Sequence, residues 1–161
     1  IRATHGAYTA DVTLLINVTQ SLYGQWATAI FGAPGPNQGK DDDYDNDGYS
    51  NFYEYSFVMD ALDPENSTQS GPIGTTWSDG TNEYPAIVFR LWLVGQGIPT
   101  YDIQTSSDLN AANWNPAGFV FEAASSIDHG DGSWTITMRN PVDFSDASLN
   151  GKCFMRVVVT E

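Results

Sequence analysis

Ala86-Ile-Val-Phe-Arg-Leu-Trp-Leu-Val94 is an apolar run rich in β-branched and aromatic side chains, and it reads as a strand. From Tyr84 onward the same signal recurs in Thr100–Ser106 (TYDIQTS), Gly118–Glu122 (GFVFE), Ser133–Arg139 (SWTITMR) and Cys153–Thr160 (CFMRVVVT). Turn signals separate these segments at Gly95-Gln-Gly97, Asn113–Pro116 and His129-Gly-Asp-Gly132. Short strands at this spacing predict a mainly β fold. The expected architecture is a β-sandwich, Ig-like or jelly-roll-like, over residues 84–161, with about five to seven strands in all.

Upstream, Ala61–Asn82 is rich in Ser, Thr, Gly, Asp and Pro and reads as a long connection. Residues 20–65 carry two short helices. Leu22, Trp26 and Ile30 fall four apart within Gln20–Phe31, and Phe52, Tyr55, Val58 and Met59 stand at helical spacings. Between them the Pro/Gly loop Gly32–Lys40 (GAPGPNQGK) forbids helix continuation. The N-terminal part, residues 1–19, centres on Ala7–Thr19 (AYTADVTLLINVT). There Val12, Leu14, Ile16 and Val18 alternate with Asp11, Thr13, Asn17 and Thr19, with Leu15 the exception, the period of a half-buried strand. No hairpin turn follows it. The three parts are expected to form one compact domain.

The chain has 161 residues, 20 Asp+Glu against 6 Lys+Arg, and a formal net charge of −14. Apolar residues make up 41%, enough for a sizeable core, so disorder is not expected. A surface this acidic repels phosphate backbones and anionic headgroups, which argues against nucleic acid or membrane-surface partners and favours cations. No apolar run approaches the roughly 20 residues that a membrane span requires. Cys153, the single cysteine, has no internal disulfide partner and reads as a small buried residue. The chain starts at Ile1, as expected of a processed or excised piece.

The densest chemistry is Asp43-Tyr-Asp45-Asn-Asp47-Gly48-Tyr49-Ser-Asn51-Phe-Tyr-Glu54. It matches the twelve-residue calcium loop of an EF-hand position by position. Asp43, Asp45 and Asp47 hold positions 1, 3 and 5, and Gly48 stands at the sharp turn. Tyr49 offers its backbone carbonyl, Asn51 is at position 9, and Glu54 closes the shell at position 12. A hard divalent cation wants six to eight oxygens, and alternate residues of a tight loop aim carboxylates inward. Two features depart from a paired EF-hand: no entering helix precedes the loop, and Ser50 stands where paired loops carry an aliphatic residue. A lone loop of this kind suits a structural clamp with a dissociation constant of about 10⁻⁴–10⁻³ M.

Tyr23–Pro64 resembles a DxDxDGxxNxxEY module of large secreted planctomycete and verrucomicrobial proteins. In those proteins a β-rich tail carries Y-x-(I/V)-Q-x-S-S-D-L…W and ends in F-x-R-V. Here these are Tyr101-Asp-Ile-Gln-Thr-Ser-Ser-Asp108-Leu…Trp114 and Phe154-Met-Arg-Val157. The resemblance covers about Ser21 to Glu161, and the loop alone is also similar to dockerin and thrombospondin type-3 loops. It implies a secreted, calcium-stabilised, non-catalytic module, usually at the C-terminus of something larger. Ala7–Thr19 is not part of that module.

His5 and His129 stand apart from any cluster that a triad or zinc site needs, so no enzyme is expected. Trp92 and Trp134 lie in apolar strands and read as core, whereas Trp77 and Trp114 lie in loops, where one of them, if exposed, can stack on sugars. Arg90, Arg139 and Arg156 fall within strands and are placed to pair with acids or hold a loop carboxylate. The N-terminal strand closes a sheet edge of its own subunit, or adds to the sheet of the next one as a donor strand. The second arrangement is head-to-tail and does not close, which makes a filament. The expected function is therefore an extracellular or cell-surface, calcium-binding structural subunit that assembles with itself. The alternative is a polysaccharide-binding or cell-attachment accessory module of a larger secreted protein.

Overall fold

The computed structural model describes residues 2–5, 8–11, 20–65, 71–93, 98–116, 118–149 and 151–160, with backbone only for the first two segments. In chain order the strands are β1 (Arg2–His5), β2 (Tyr8–Asp11), β3 (Ile73–Ser78), β4 (Glu83–Trp92), β5 (Thr100–Ser106), β6 (Asn115–Pro116), β7 (Val120–Phe121), β8 (Ile127–Asp128), β9 (Ser133–Arg139) and β10 (Phe154–Thr160). Two helices, α1 (Leu22–Phe31) and α2 (Asn51–Phe57), lie between β2 and β3.

Eight of the strands form two antiparallel sheets, a mainly β sandwich. One sheet runs β3-β4-β9-β7, with β8 also on β9; the other runs β10-β5-β6. Between them Ile87, Phe89, Leu91 and Ile136 form a buried cluster with Phe57 and Met59, and Tyr101, Ile103, Met155, Val157 and Val159 pack on it from the second sheet. The alternation on β4 and β10 explains the sidedness. Odd-numbered residues enter the core, and even-numbered residues such as Arg90 and Arg156 lie on the other face.

Helix α1 starts at Ser21, whose Oγ accepts from the Gly24 N–H at 3.1 Å, and ends at Gly32, where φ is +79°. Helix α2 is capped by Ser50, which accepts from the Tyr53 N–H. It stops at Val58 in the left-handed region, φ 56° and ψ 44°, a conformation rare for a β-branched residue. There the Val58 N–H reaches the Glu54 and Tyr55 carbonyls and the Met59 N–H bonds the Glu54 carbonyl, between buried Phe57 and Met59.

The structure departs from the sequence expectation in three places. The connection Ala61–Asn82 contains a strand, β3, so the sandwich starts at Ile73 and Trp77 lies in a strand, not a loop. β3 gave no apolar signal because Gly74, Thr75 and Thr76 are all exposed on an edge strand. The N-terminal segment is not a strand without a partner over its first part: Tyr8–Asp11 pairs antiparallel with Arg2–His5. The rest of the expected strand, residues 12–19, lies outside the described residues. The Gly118–Glu122 strand is only Val120–Phe121, paired with Arg139 and Met138.

Candidate metal centre

The loop entering α2 is built by its own carboxylates. Asp43 Oδ1 accepts from the Asn46 N–H (2.7 Å) and its Oδ2 from the Gly48 N–H (2.9 Å). Asp45 Oδ1 accepts from the Asp47 N–H (3.2 Å), and Asp47 Oδ1 from the Tyr49 N–H (2.7 Å). Asn46 and Gly48 take φ of 65° and 95°, and these two left-handed residues curl the chain so that alternate side chains converge. One carboxylate oxygen each of Asp43, Asp45 and Asp47 lies within 4.8 Å of the others.

Glu54, in the first turn of α2, is fully buried. Neither of its oxygens has a hydrogen-bond partner, and Asp45 Oδ2 and Asp47 Oδ2 are also buried without one. Burial first, and then the carboxylates of Asp45, Asp47, Asp43 and Asp60, raise the Glu54 carboxyl from its ordinary value of 4.5 to about 8. Asp45 is raised as well, first by burial and then by Asp47. Native interiors rarely leave buried carboxylate oxygens without partners, and four together need an explanation.

Asn51, the remaining side-chain ligand expected, is hydrogen-bonded to the backbone around the loop. It is fully buried; its Oδ1 accepts from the Tyr44 N–H (3.1 Å), while Nδ2 donates to the carbonyls of Asn37 (2.9 Å) and Gly39 (2.8 Å). The amide thus bolts the acidic loop to the Pro/Gly segment before it. The Asn51 N–H on Asp42 O and the Phe52 N–H on Lys40 O reinforce that join. Tyr49 stands in the loop with its ring stacked on Tyr53 at 5.0 Å. The structure therefore gathers Asp43, Asp45 and Asp47, places Glu54 in electrostatic contact with them, and commits the side chain of Asn51 to scaffolding. Sequence spacing alone did not reveal that scaffolding role. Asp42 and Asp60, the nearby acids outside the loop, accept from the Gly39 and Leu62 N–H groups in local turns.

Helix α2 carries this loop into the sandwich. The Tyr55 carbonyl accepts from Trp92 Nε1 (2.7 Å) on β4, and the Ser56 carbonyl from the Tyr101 hydroxyl (2.5 Å) on β5. One short helix thus joins both sheets to the acidic loop.

Elsewhere, His129 Nε2 contacts Thr135 Oγ1 (2.9 Å), and the Cys153 thiol accepts from Asn140 and is pushed up by burial. Arg90 pairs with the loop carboxylate of Asp131 (2.7 Å) and Arg139 with Glu122 (2.6 Å); Arg156 binds Gln104 instead. Trp77 and Trp114, one of them expected to be exposed, are both half-buried beneath guanidinium groups. Arg139 lies 5.0 Å from the Trp77 ring, and Arg156 lies 4.3 Å from the Trp114 ring. No helix is long and apolar enough to cross a membrane among the described residues. Compared with protein-family models, curated proteins and solved structures, the chain matches none.

Proposed function

We propose that this chain is a non-catalytic structural module clamped by a calcium ion, working outside the cell and assembling with copies of itself into a filament or surface layer. The observation that carries the clamp is the set of four buried, unpartnered oxygens on Asp45, Asp47 and Glu54 beside Asp43. Such a set is all oxygen, multiply anionic and recessed, the chemistry that a hard cation satisfies. Calcium fits better than magnesium, because a loop with several carboxylates suits high, flexible coordination, whereas magnesium keeps several waters in an octahedral shell. Asp43, Asp45, Asp47 and Glu54 would hold the ion by carboxylates and Tyr49 by its carbonyl, with Asn51 bracing the loop from behind. The ion's part is to neutralise charge and fix α2 on the two sheets. A lone loop of weak affinity matches the high calcium outside cells.

Melting with calcium and with chelator tests this reading. At a hundredfold excess over its dissociation constant, an ion that binds only the folded state adds about 2.7 kcal/mol. For a domain of this size that raises Tm by roughly 5–10 °C. Equal melting temperatures in both buffers would remove the clamp. Light scattering in calcium reads the assembly half separately, with polymers expected.

A further inference from the structure

We propose that the open side of the sandwich between β3 and β10 accepts a strand, and that the strand is Val12–Thr19 of a second copy of this chain. The inference rests on the self-assembly half of the proposed function and names its acceptor.

The two sheets are unequal, and the missing strand has a definite place. β10 is bonded to β5 along all seven residues of one edge, and among the described residues no strand pairs with the other edge. Among the described residues β3 is likewise paired only with β4. Gly74 and Thr76 of β3 stand opposite Ile87 and Pro85, so they share the core-facing side of the sheet. Yet both are exposed, because the three-stranded sheet stops before reaching them. A Cβ built on Gly74 would meet nothing within 4 Å. In this gap lies a groove of about 320 Å³ whose lining includes Gly74, Thr76, Pro85, Phe144, Cys153 and Met155. A strand added to β10 would roof it and complete the second sheet.

The occupant is argued from charge, pattern and direction. Among the described residues no charged side chain lines the groove. In a chain with net charge −14, Val12-Thr-Leu-Leu-Ile-Asn-Val-Thr19 is also uncharged, and its eight residues match the seven of β10. Val12, Leu14, Ile16 and Val18 supply one apolar face for the groove.

On the β10 edge, direction selects a second copy over the chain's own segment. Thr19 lies one residue before Gln20 and the α1 cap Ser21. The first turn of α1 packs through Tyr23 on Tyr55, which neighbours Trp92. That is the end of β4 opposite the groove at Pro85, about 24 Å away at roughly 3.4 Å per residue. Tyr101 pairs with Val159 and bonds the helix, so β10 runs from the groove end towards the helix end. The chain's own segment, finishing beside α1, would run the same way as β10. All the pairings described are antiparallel, and parallel pairing is less stable per residue. A segment from a second copy is free to enter antiparallel. The contact is head-to-tail and does not close, which generates a filament.

The native Cys153 in the groove makes this testable with mild changes to the full chain. Leu14→Cys, Ile16→Cys and Val18→Cys are made singly, oxidised in millimolar calcium and run on non-reducing gels, with Thr13→Cys and a Cys153→Ser background as controls. At least one of the three should give a ladder of trimers and above, with the bridge mapped to Cys153. A bridged monomer would overturn the proposal by placing the strand in its own subunit. Polymers in light scattering without any bridge above the Thr13→Cys level would overturn the groove while leaving self-assembly standing. A protein that stays monomeric in calcium would remove both, whatever its melting temperature does.

Discussion

Glu54 and Phe57 sit three residues apart on one seven-residue helix, and both are fully buried. Phe57 is complete as it stands, with Phe89 and Tyr101 packed edge-on at 5.9 and 6.0 Å and the apolar cluster around it. Glu54 is not: its two oxygens face other carboxylates and find no donor. The difference separates the two ways in which this helix is held. On the sandwich side, apolar burial and two hydrogen bonds from Trp92 and Tyr101 suffice. On the loop side, folding concentrates charge that only a cation or a proton can relieve.

The largest effect expected is on the side that needs no ligand. Phe57→Ala should destabilise by about 3–5 kcal/mol through lost burial and a cavity. The loss should be equal in calcium and in chelator, read as a shift in urea midpoint. If the loss depended on calcium, the two sides would be one cooperative unit and the contrast would break. Asn51→Asp probes the loop side next. As a brace, Asn51 donates two hydrogen bonds that an aspartate cannot make, so the variant should lose about 2–4 kcal/mol. As a ligand, it would instead tighten calcium binding. A higher calcium affinity by titration, with Tm raised in calcium, would move Asn51 from scaffold to ligand.

How legible the molecule was in its sequence follows the same division. Apolar strands buried between sheets announce themselves, and Glu83–Trp92, Thr100–Ser106, Ser133–Arg139 and Phe154–Thr160 all lie close to where the pattern places them. β3 did not, because an exposed edge strand has no burial to record in its composition and is defined by pairing with β4 alone. The convergence of Asp43, Asp45 and Asp47 was readable because carboxylate spacing is local. The scaffolding by Asn51 was not, since its partners Asn37 and Gly39 offer backbone carbonyls, which leave no mark on residue type. Trp77 and Trp114 show the same limit. The guanidinium groups above them come from Arg139 and Arg156, 62 and 42 positions away in the chain.

The finest test of the contrast is the pH dependence of stability without the ion. In chelator the folded Glu54 titrates at about 8, against 4.5 for the free side chain. Between those values the folded protein holds a proton that the unfolded chain releases, so the stabilisation is fully present below about 4.5 and is lost as pH rises towards 8. The slope approaches 1.4 kcal/mol per pH unit at its steepest. Other acids titrate too, so the quantity to measure is the difference between wild type and Glu54→Gln. The glutamine variant should lack this slope and, in chelator near pH 8, be the more stable protein by about 1–3 kcal/mol, having no buried charge to relieve. Calcium reverses the order. The ion needs the deprotonated carboxylate, so its stabilisation of wild type grows from pH 5.5 to 8, while the variant gains little. If the variant were less stable than wild type in chelator at pH 8, the ion-free loop would hold Glu54 by contacts of its own, and the two ends of α2 would be alike.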